Sequence, residues 1–172
     1  RIVDEAAILS AQDRQAIEAD LKTLEGKSTD QLVIYTTRSL QGYPIEDFGY
    51  RLGRTWQIGQ SGKNNGVILI VAPNERKVRI EVGRGLEPQL TDIMSKLIVD
   101  NAILPAFRRG DFSAGIRAGV RDIRDVLLRL KSEDVAEFEY RPTACHQAYR
   151  LVVVKKLIEV TLYSFRFPGK AG

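Results

Sequence analysis

Apolar side chains recur along this chain at two spacings, and the switches between them mark out its elements. Ile17, Leu21 and Leu24 follow one another at helical intervals behind Ser10, a good N-cap, and Asp13, whose charge complements the amides of a first turn. A helix is expected over residues 11–25, with Gly26 supplying the left-handed residue that ends it. Leu32-Val33-Ile34-Tyr35-Thr36-Thr37 is a run of β-favouring residues with apolar character on both faces, as a central strand covered on each side requires. Pro44 suits the first turn of a helix, and Ile45, Phe48, Leu52 and Trp56 then form one stripe that ends near Ile58-Gly59. Gly66 through Ala72 is a second wholly apolar strand. The resulting strand-helix-strand unit should be parallel and right-handed.

Beyond the connection Pro73-Asn74-Glu75-Arg76, the segment Lys77-Val78-Arg79-Ile80-Glu81-Val82 alternates polar and apolar positions, which predicts an antiparallel strand near a sheet edge with one wet face. Ile93, Leu97, Ile98, Ile103, Leu104 and Phe107 fit a third helix that Pro105, lacking an amide proton, must kink or restart. Asp111 caps a fourth, along which Phe112, Ile116, Val120, Ile123, Leu127 and Leu130 form the longest regular stripe. Gly115 and Gly119 would let that helix approach a neighbour closely. Residues 1–131 are therefore expected to form one α/β domain, a three-layer sandwich with a small mixed sheet, a parallel βαβ kernel, an antiparallel edge strand and about four main helices. Residues 132–172 form a tail of a different character: an acidic stretch, then strand-like runs at Leu151–Val154 and Leu157–Phe167.

A length of 172 residues allows one domain with a proper core, and 44% apolar with 28% charged residues is the composition of a globular protein. The surplus of positive charge, +4, is spread along the chain without a basic run, so a nucleic-acid partner is not expected. The single cysteine, Cys145, cannot form an internal disulfide, and with only His146 beside it no zinc site is expected. Lys155 and Lys156 split the greasiest run, so no membrane span is expected. The chain opens at Arg1, as a chain trimmed of a targeting segment would.

The chain has no GxSxG, GxxxxGK[ST] or HExxH motif, and one histidine cannot support the usual triads. Gly83-Arg84-Gly85 lacks the third glycine of a dinucleotide fingerprint and reads as a turn. What remains is a set of oxygen-bearing side chains in loops: Asp4, Glu5, Asn64, Asn65, Glu87 and Asp92. Calcium takes several oxygen ligands from carboxylates, amides and carbonyls, and this set supplies them without histidine. Caps, turns and solvated charge compete for the same residues.

Val3-Asp4-Glu5-Ala6-Ala7-Ile8-Leu9-Ser10, Trp56-Gln57-Ile58-Gly59, Asn64-Asn65-Gly66-Val67-Ile68-Leu69-Ile70, Arg79 through Glu87, Leu90-Thr91-Asp92 and Pro105 through Asp111 stand in the order of the signatures of the TPM domain, and together the chain resembles that family over residues 1–131. The resemblance implies an acidic metal site, placed at Asp4, Asn65 and Asp92 with Glu5, Asn64 and Glu87 as further candidates, and Ca2+ as its ion. It also implies an extracytoplasmic, periplasmic or membrane-attached location and an accessory or maintenance role in a membrane or envelope protein complex. Some members are described as acid phosphatases. On that alternative a bound metal would polarise a phosphoryl group while Asp4 or Asp92 acted as nucleophile or base, with Lys63 and Arg84 available to the phosphate. A third possibility is a protein-interaction domain without metal, with Leu151–Phe167 as its docking segment. The tail departs from the family pattern, having neither a spanning segment nor a glycine-rich end.

Overall fold

The structure, a computed structural model, describes residues 1–132, 135–140, 149–154 and 161–164. Four strands, β1 (Ile2–Asp4), β2 (Gln31–Thr36), β3 (Gly66–Ala72) and β4 (Lys77–Val82), form one sheet in that order. The first three run parallel, with Asp4 opposite Thr36 and Thr36 opposite Val71, while β4 returns antiparallel and places Val82 opposite Val67. The βαβ kernel and the antiparallel edge are as expected. Strand β1 is an addition: three residues are too few to show a period, and pairing with β2 creates it.

Helix α1 (Ala11–Ser28) starts at Ser10, whose hydroxyl accepts the Asp13 amide, but it runs past Gly26. Thr29 takes the left-handed position at φ 66°, and its amide donates to the Glu25 carbonyl. Helix α2 (Ile45–Trp56) follows Pro44, as expected. The third helical stretch is broken into α3 (Asp92–Ile98), a π-helical segment (Val99–Ile103) and α4 (Leu104–Arg108). Pro105 explains the break, since it cannot donate to the carbonyl one turn back and the ladder widens just ahead of it. Helix α5 (Phe112–Ser132) begins at Asp111, whose carboxylate accepts the Ala114 amide at 3.0 Å.

The sheet separates two cores. On one face Leu32, Ile34, Val67, Leu69, Val71 and Ile80 meet α1, α3, the π-helical segment and α5, with Ile116, Val120, Ile123 and Leu127 buried along α5. On the other, Tyr35, Ile68, Ile70 and Ala72 meet α2, and the Tyr35 ring stacks on Phe48 and meets Trp56 edge-on. The glycines of α5 provide the close approach expected of them. A Cβ on Gly119 would lie 2.6 Å from the Ile103 side chain, and one on Gly115 2.9 Å from the Ile103 carbonyl oxygen.

In the tail, β5 (Val135–Tyr140), β6 (Tyr149–Val154) and β7 (Thr161–Ser164) form an antiparallel three-stranded sheet in chain order. The acidic stretch is thus partly a strand, and Val135-Ala136-Glu137-Phe138-Glu139-Tyr140 does contain an alternation that its charge obscures. Cys145 and His146 lie outside the described residues. Among the described residues no helix is long and apolar enough to cross a membrane.

Candidate functional site

The oxygen-bearing side chains divide between the two ends of the sheet. Asp4 is the last residue of β1, so in a parallel sheet it lies with Thr36 and Val71 at the carboxyl ends of the strands. Asn65 precedes β3 and lies at the amino end, where its carbonyl accepts the amide of Gln31 at 2.9 Å. Five residue steps separate Gly66 from Val71, about 17 Å along the strand. Asp92 belongs to the Asn65 end, because the chain from β4 to α3 leaves there: the Gly83 amide donates to the Gly66 carbonyl and the Gly85 amide to the Asn64 carbonyl. The expected joint site of Asp4, Asn65 and Asp92 is therefore not formed. Asn65 and Asp92 share an end, as do Asn64 and Glu87, whereas Asp4 and Glu5 stand apart from all four.

At the carboxyl end, the Asp4 carboxylate accepts the amides of Ile8 at 3.2 Å and Leu9 at 3.1 Å together with the Thr36 hydroxyl, and Arg14 stands at 3.8 Å. Its side chain is only 5% exposed. Burial by itself pushes this carboxyl up, but the Thr36 hydroxyl, the Leu9 and Ile8 amides and the Arg14 charge outweigh it and hold Asp4 below the ordinary aspartate value. These four partners occupy about as many lone-pair directions as a carboxylate has, so Asp4 acts as the pin that shapes the turn from Glu5 to Leu9. Glu5 accepts the Tyr35 hydroxyl at 3.0 Å. Burial raises the Tyr35 phenol, and the Glu5 carboxylate beside it acts in the same direction against a hydrogen bond from Thr37. Thr36 and Tyr35 were not singled out in the sequence. The signal for Thr36 was a hydroxyl closing an otherwise apolar strand.

The same end is fastened to α5. The Ser10 amide donates to the Ser113 hydroxyl at 2.9 Å, and Ser113 donates to Asp13 at 2.7 Å, with Arg117 on the other Asp13 oxygen at 3.1 Å. Ser113 contributes most to holding the Asp13 carboxyl low, and Ser10 and Arg117 add to it against a smaller effect of burial.

At the amino end, Asn65 is buried and its amide is fully engaged. Its Oδ1 accepts the Gln60 amide at 2.8 Å, while its Nδ2 donates to the Thr29 carbonyl at 2.9 Å and to Asp30 at 3.3 Å. It clamps the end of α1 to the loop before β3. That loop is pressed against the β4–α3 connection, where a Cβ on Gly83 would overlap the Asn64 carbonyl and one on Gly85 the Lys63 carbonyl. Only glycine permits this approach. Gly83-Arg84-Gly85 is the turn it was read as, closed by the Leu86 amide on the Gly83 carbonyl at 2.8 Å. Lys63 and Arg84 both sit at this end, far from Asp4. Asn64, Glu87 and Asp92 are exposed, and their side chains are in no hydrogen bond or ion pair among the described residues. Among those residues no three His, Cys, Asp or Glu side chains gather closely enough to hold a metal by themselves.

The TPM domain family model matches residues 2–126. No curated protein matches the chain. Among solved structures, the N-terminal domain of a protein from P. gingivalis is similar at 32% identity with a TM-score of 0.69, over 73% of this chain and 80% of that one. The BA42 protein of Bizionia argentinensis has 19% identity and a TM-score of 0.62, over 70% of this chain and 82% of that one, a likeness of fold. The N-terminal domain of the cg2496 protein of Corynebacterium glutamicum has 19% identity and a TM-score of 0.57, over 77% and 79% respectively, likewise a likeness of fold. With most of its length covered by the family model and a solved structure 32% identical over 73% of it, the chain belongs to the TPM domain family.

Proposed function

We propose that this TPM domain is a divalent-cation binding module, with calcium as its ion, whose site lies at the amino end of the sheet and uses Asn64, Glu87 and Asp92. One contrast supports the reading: Asn64 and Glu87 are exposed and unengaged on two loops locked by backbone contact, and Asp92 is exposed and unengaged at the start of α3, whereas Asp4 and Asn65 are occupied by hydrogen bonds. Two carboxylates, an amide oxygen and neighbouring carbonyls form the kind of hard donor set that calcium accepts, with water completing the shell. A cation there would tie the β4–α3 connection to the loop before β3 and stiffen that end. The role that follows is accessory, a loop surface ordered by calcium that serves a membrane or envelope complex outside the cytoplasm. The phosphatase alternative is less well supported with Asp4 as nucleophile or base, because Asp4 is occupied and Lys63 and Arg84 are on the opposite end. With Asp92 in that role the two cations share its end of the sheet, and phosphate-ester turnover lost in Asp92→Ala would favour it.

Calorimetric titration of calcium into chelator-treated protein tests this. Heat should be released by the wild type and by Asp4→Asn, and lost in Asp92→Ala and Glu87→Ala. Absence of heat from the wild type, or heat that survives Asp92→Ala and disappears in Asp4→Asn, overturns the placement.

A further inference from the structure

A groove of about 500 Å3 opens where the β3–β4 turn meets the α4–α5 junction. Val71, Val78, Leu104, Phe107 and Phe112 give it an apolar floor, with the two phenylalanine rings 5.0 Å apart. Arg76, Lys77 and Arg108 also line it, and no acidic side chain does. The turn carboxylate Glu75 accepts the Leu40 amide at 2.7 Å and also acts on the charge of Lys77, which leaves Arg76 and Arg108 as the groove cations without an acidic neighbour. Among the described residues the guanidinium groups of Arg76 and Arg108 are in no ion pair or hydrogen bond, as is also true of Arg84 and Arg121, whereas Arg14, Arg79, Arg117 and Arg124 have acidic partners.

Arg76 is also one of six non-glycine residues, with Ala7, Thr29, Gln41, Gln57 and Asn64, that take a positive φ among the described residues. It occupies φ +54° at the last position of the turn, where its amide donates to the Pro73 carbonyl at 3.1 Å. Glycine or asparagine fits that conformation far better, because a Cβ there crowds the following carbonyl. A long cation thus sits at a position that disfavours it, without a partner to compensate, and such local conflicts tend to mark function.

We propose that this groove binds a small amphiphilic organic anion, with Arg76, Lys77 and Arg108 holding its anionic head and Phe107 and Phe112 covering its apolar body. The volume is that of a small-molecule pocket. Sulfonate, carboxylate and phosphate heads share the required chemistry, and guanidinium groups suit their paired oxygens. The site lies at the opposite end of the sheet from the calcium reading and does not depend on it.

The probe is hexanesulfonate, titrated into the full chain in the presence of chelator and followed by the amide resonances of the groove. Methanesulfonate, with the head alone, and hexanol, with the body alone, should each bind at least about tenfold more weakly, since each lacks one half of the complementarity. Arg76→Gly should weaken hexanesulfonate about tenfold while leaving the melting temperature equal or higher, which separates lost binding from lost folding. Arg108→Gln should weaken it similarly. Equal affinity for hexanol and hexanesulfonate, or unchanged affinity in Arg76→Gly, overturns the proposal. Binding to phosphatidylglycerol vesicles without any binding of soluble hexanesulfonate also overturns it, in favour of a lipid surface.

Discussion

Asn65→Asp separates a clamp from a ligand, because it changes one donor into an acceptor and adds the charge that a calcium site would welcome. In the clamp, Nδ2 donates to the Thr29 carbonyl at 2.9 Å and to Asp30 at 3.3 Å. A carboxylate oxygen there faces a carbonyl and a second carboxylate. At an effective dielectric of about 20, two charges at 3.3 Å repel by roughly 5 kcal/mol. Protonation of the new carboxyl limits the penalty, since lifting its pKa from about 3.9 to neutrality corresponds to about 4 kcal/mol. The expected loss at pH 7 is about 3–4 kcal/mol, a fall in Tm on the order of 10 °C. The pH dependence has a definite sign. A carboxyl whose pKa is raised by folding binds a proton in the native state that the unfolded chain has released, so the deficit is full at neutral pH. It shrinks as pH falls and vanishes below about pH 4. Denaturant melts of wild type and variant between pH 7 and pH 4, with chelator present, measure it. A variant as stable as wild type at pH 7, or one that calcium stabilises more than wild type, would refute the clamp and return Asn65 to the ligand set.

Asp4→Asn should cost about 2 kcal/mol at pH 7, because one of the Ile8 or Leu9 amides is left facing an amide NH2. Since folding lowers the Asp4 pKa, the advantage of wild type over this variant is complete above the unfolded value of about 3.9 and disappears as pH falls through the lower folded value, which acid titration of both proteins will show. Gly85→Ala should destabilise by about 3 kcal/mol or more in chemical denaturation, since its Cβ overlaps a backbone carbonyl that cannot rotate away. Gly119→Ala should cost less than Gly115→Ala, because a Cβ at Gly119 crowds the flexible Ile103 side chain whereas one at Gly115 crowds the Phe107 ring and the Ile103 carbonyl; paired melts with equal losses would contradict this.

Where a residue's role is local, the sequence stated it plainly. Ser10 caps α1, Asp111 caps α5, and of the stripe that begins at Phe112 the residues Ile116, Val120, Ile123 and Leu127 are buried while Phe112 is half-buried, because caps and periodicity depend on neighbours within a turn or two. The end of α1 was misplaced because Gly26 is sterically free to stop a helix but does not have to. Thr29 stops it instead, where Asn65 secures the Thr29 carbonyl from 36 residues away. The groove left no trace, since nothing in Pro73-Asn74-Glu75-Arg76 says that the arginine takes the left-handed position.

The misassembled metal site has one traceable origin, the unread strand β1. In a parallel sheet every strand begins at one end and finishes at the other, so a residue that closes one strand and a residue that precedes another must be separated by a strand's length. Asp4 closes β1 and Asn65 precedes β3. Read as loop residues, they were free to meet; once Ile2-Val3-Asp4 is a parallel strand, they are not. The same polarity argument joins Asn64 to Glu87 and Asp92, because an antiparallel β4 returns the chain to the end where β3 began. Strand direction, more than the inventory of oxygen-bearing residues, thus decides which of them are able to share an ion, and it leaves the Asp4 end to the hydrogen bonds that hold its turn.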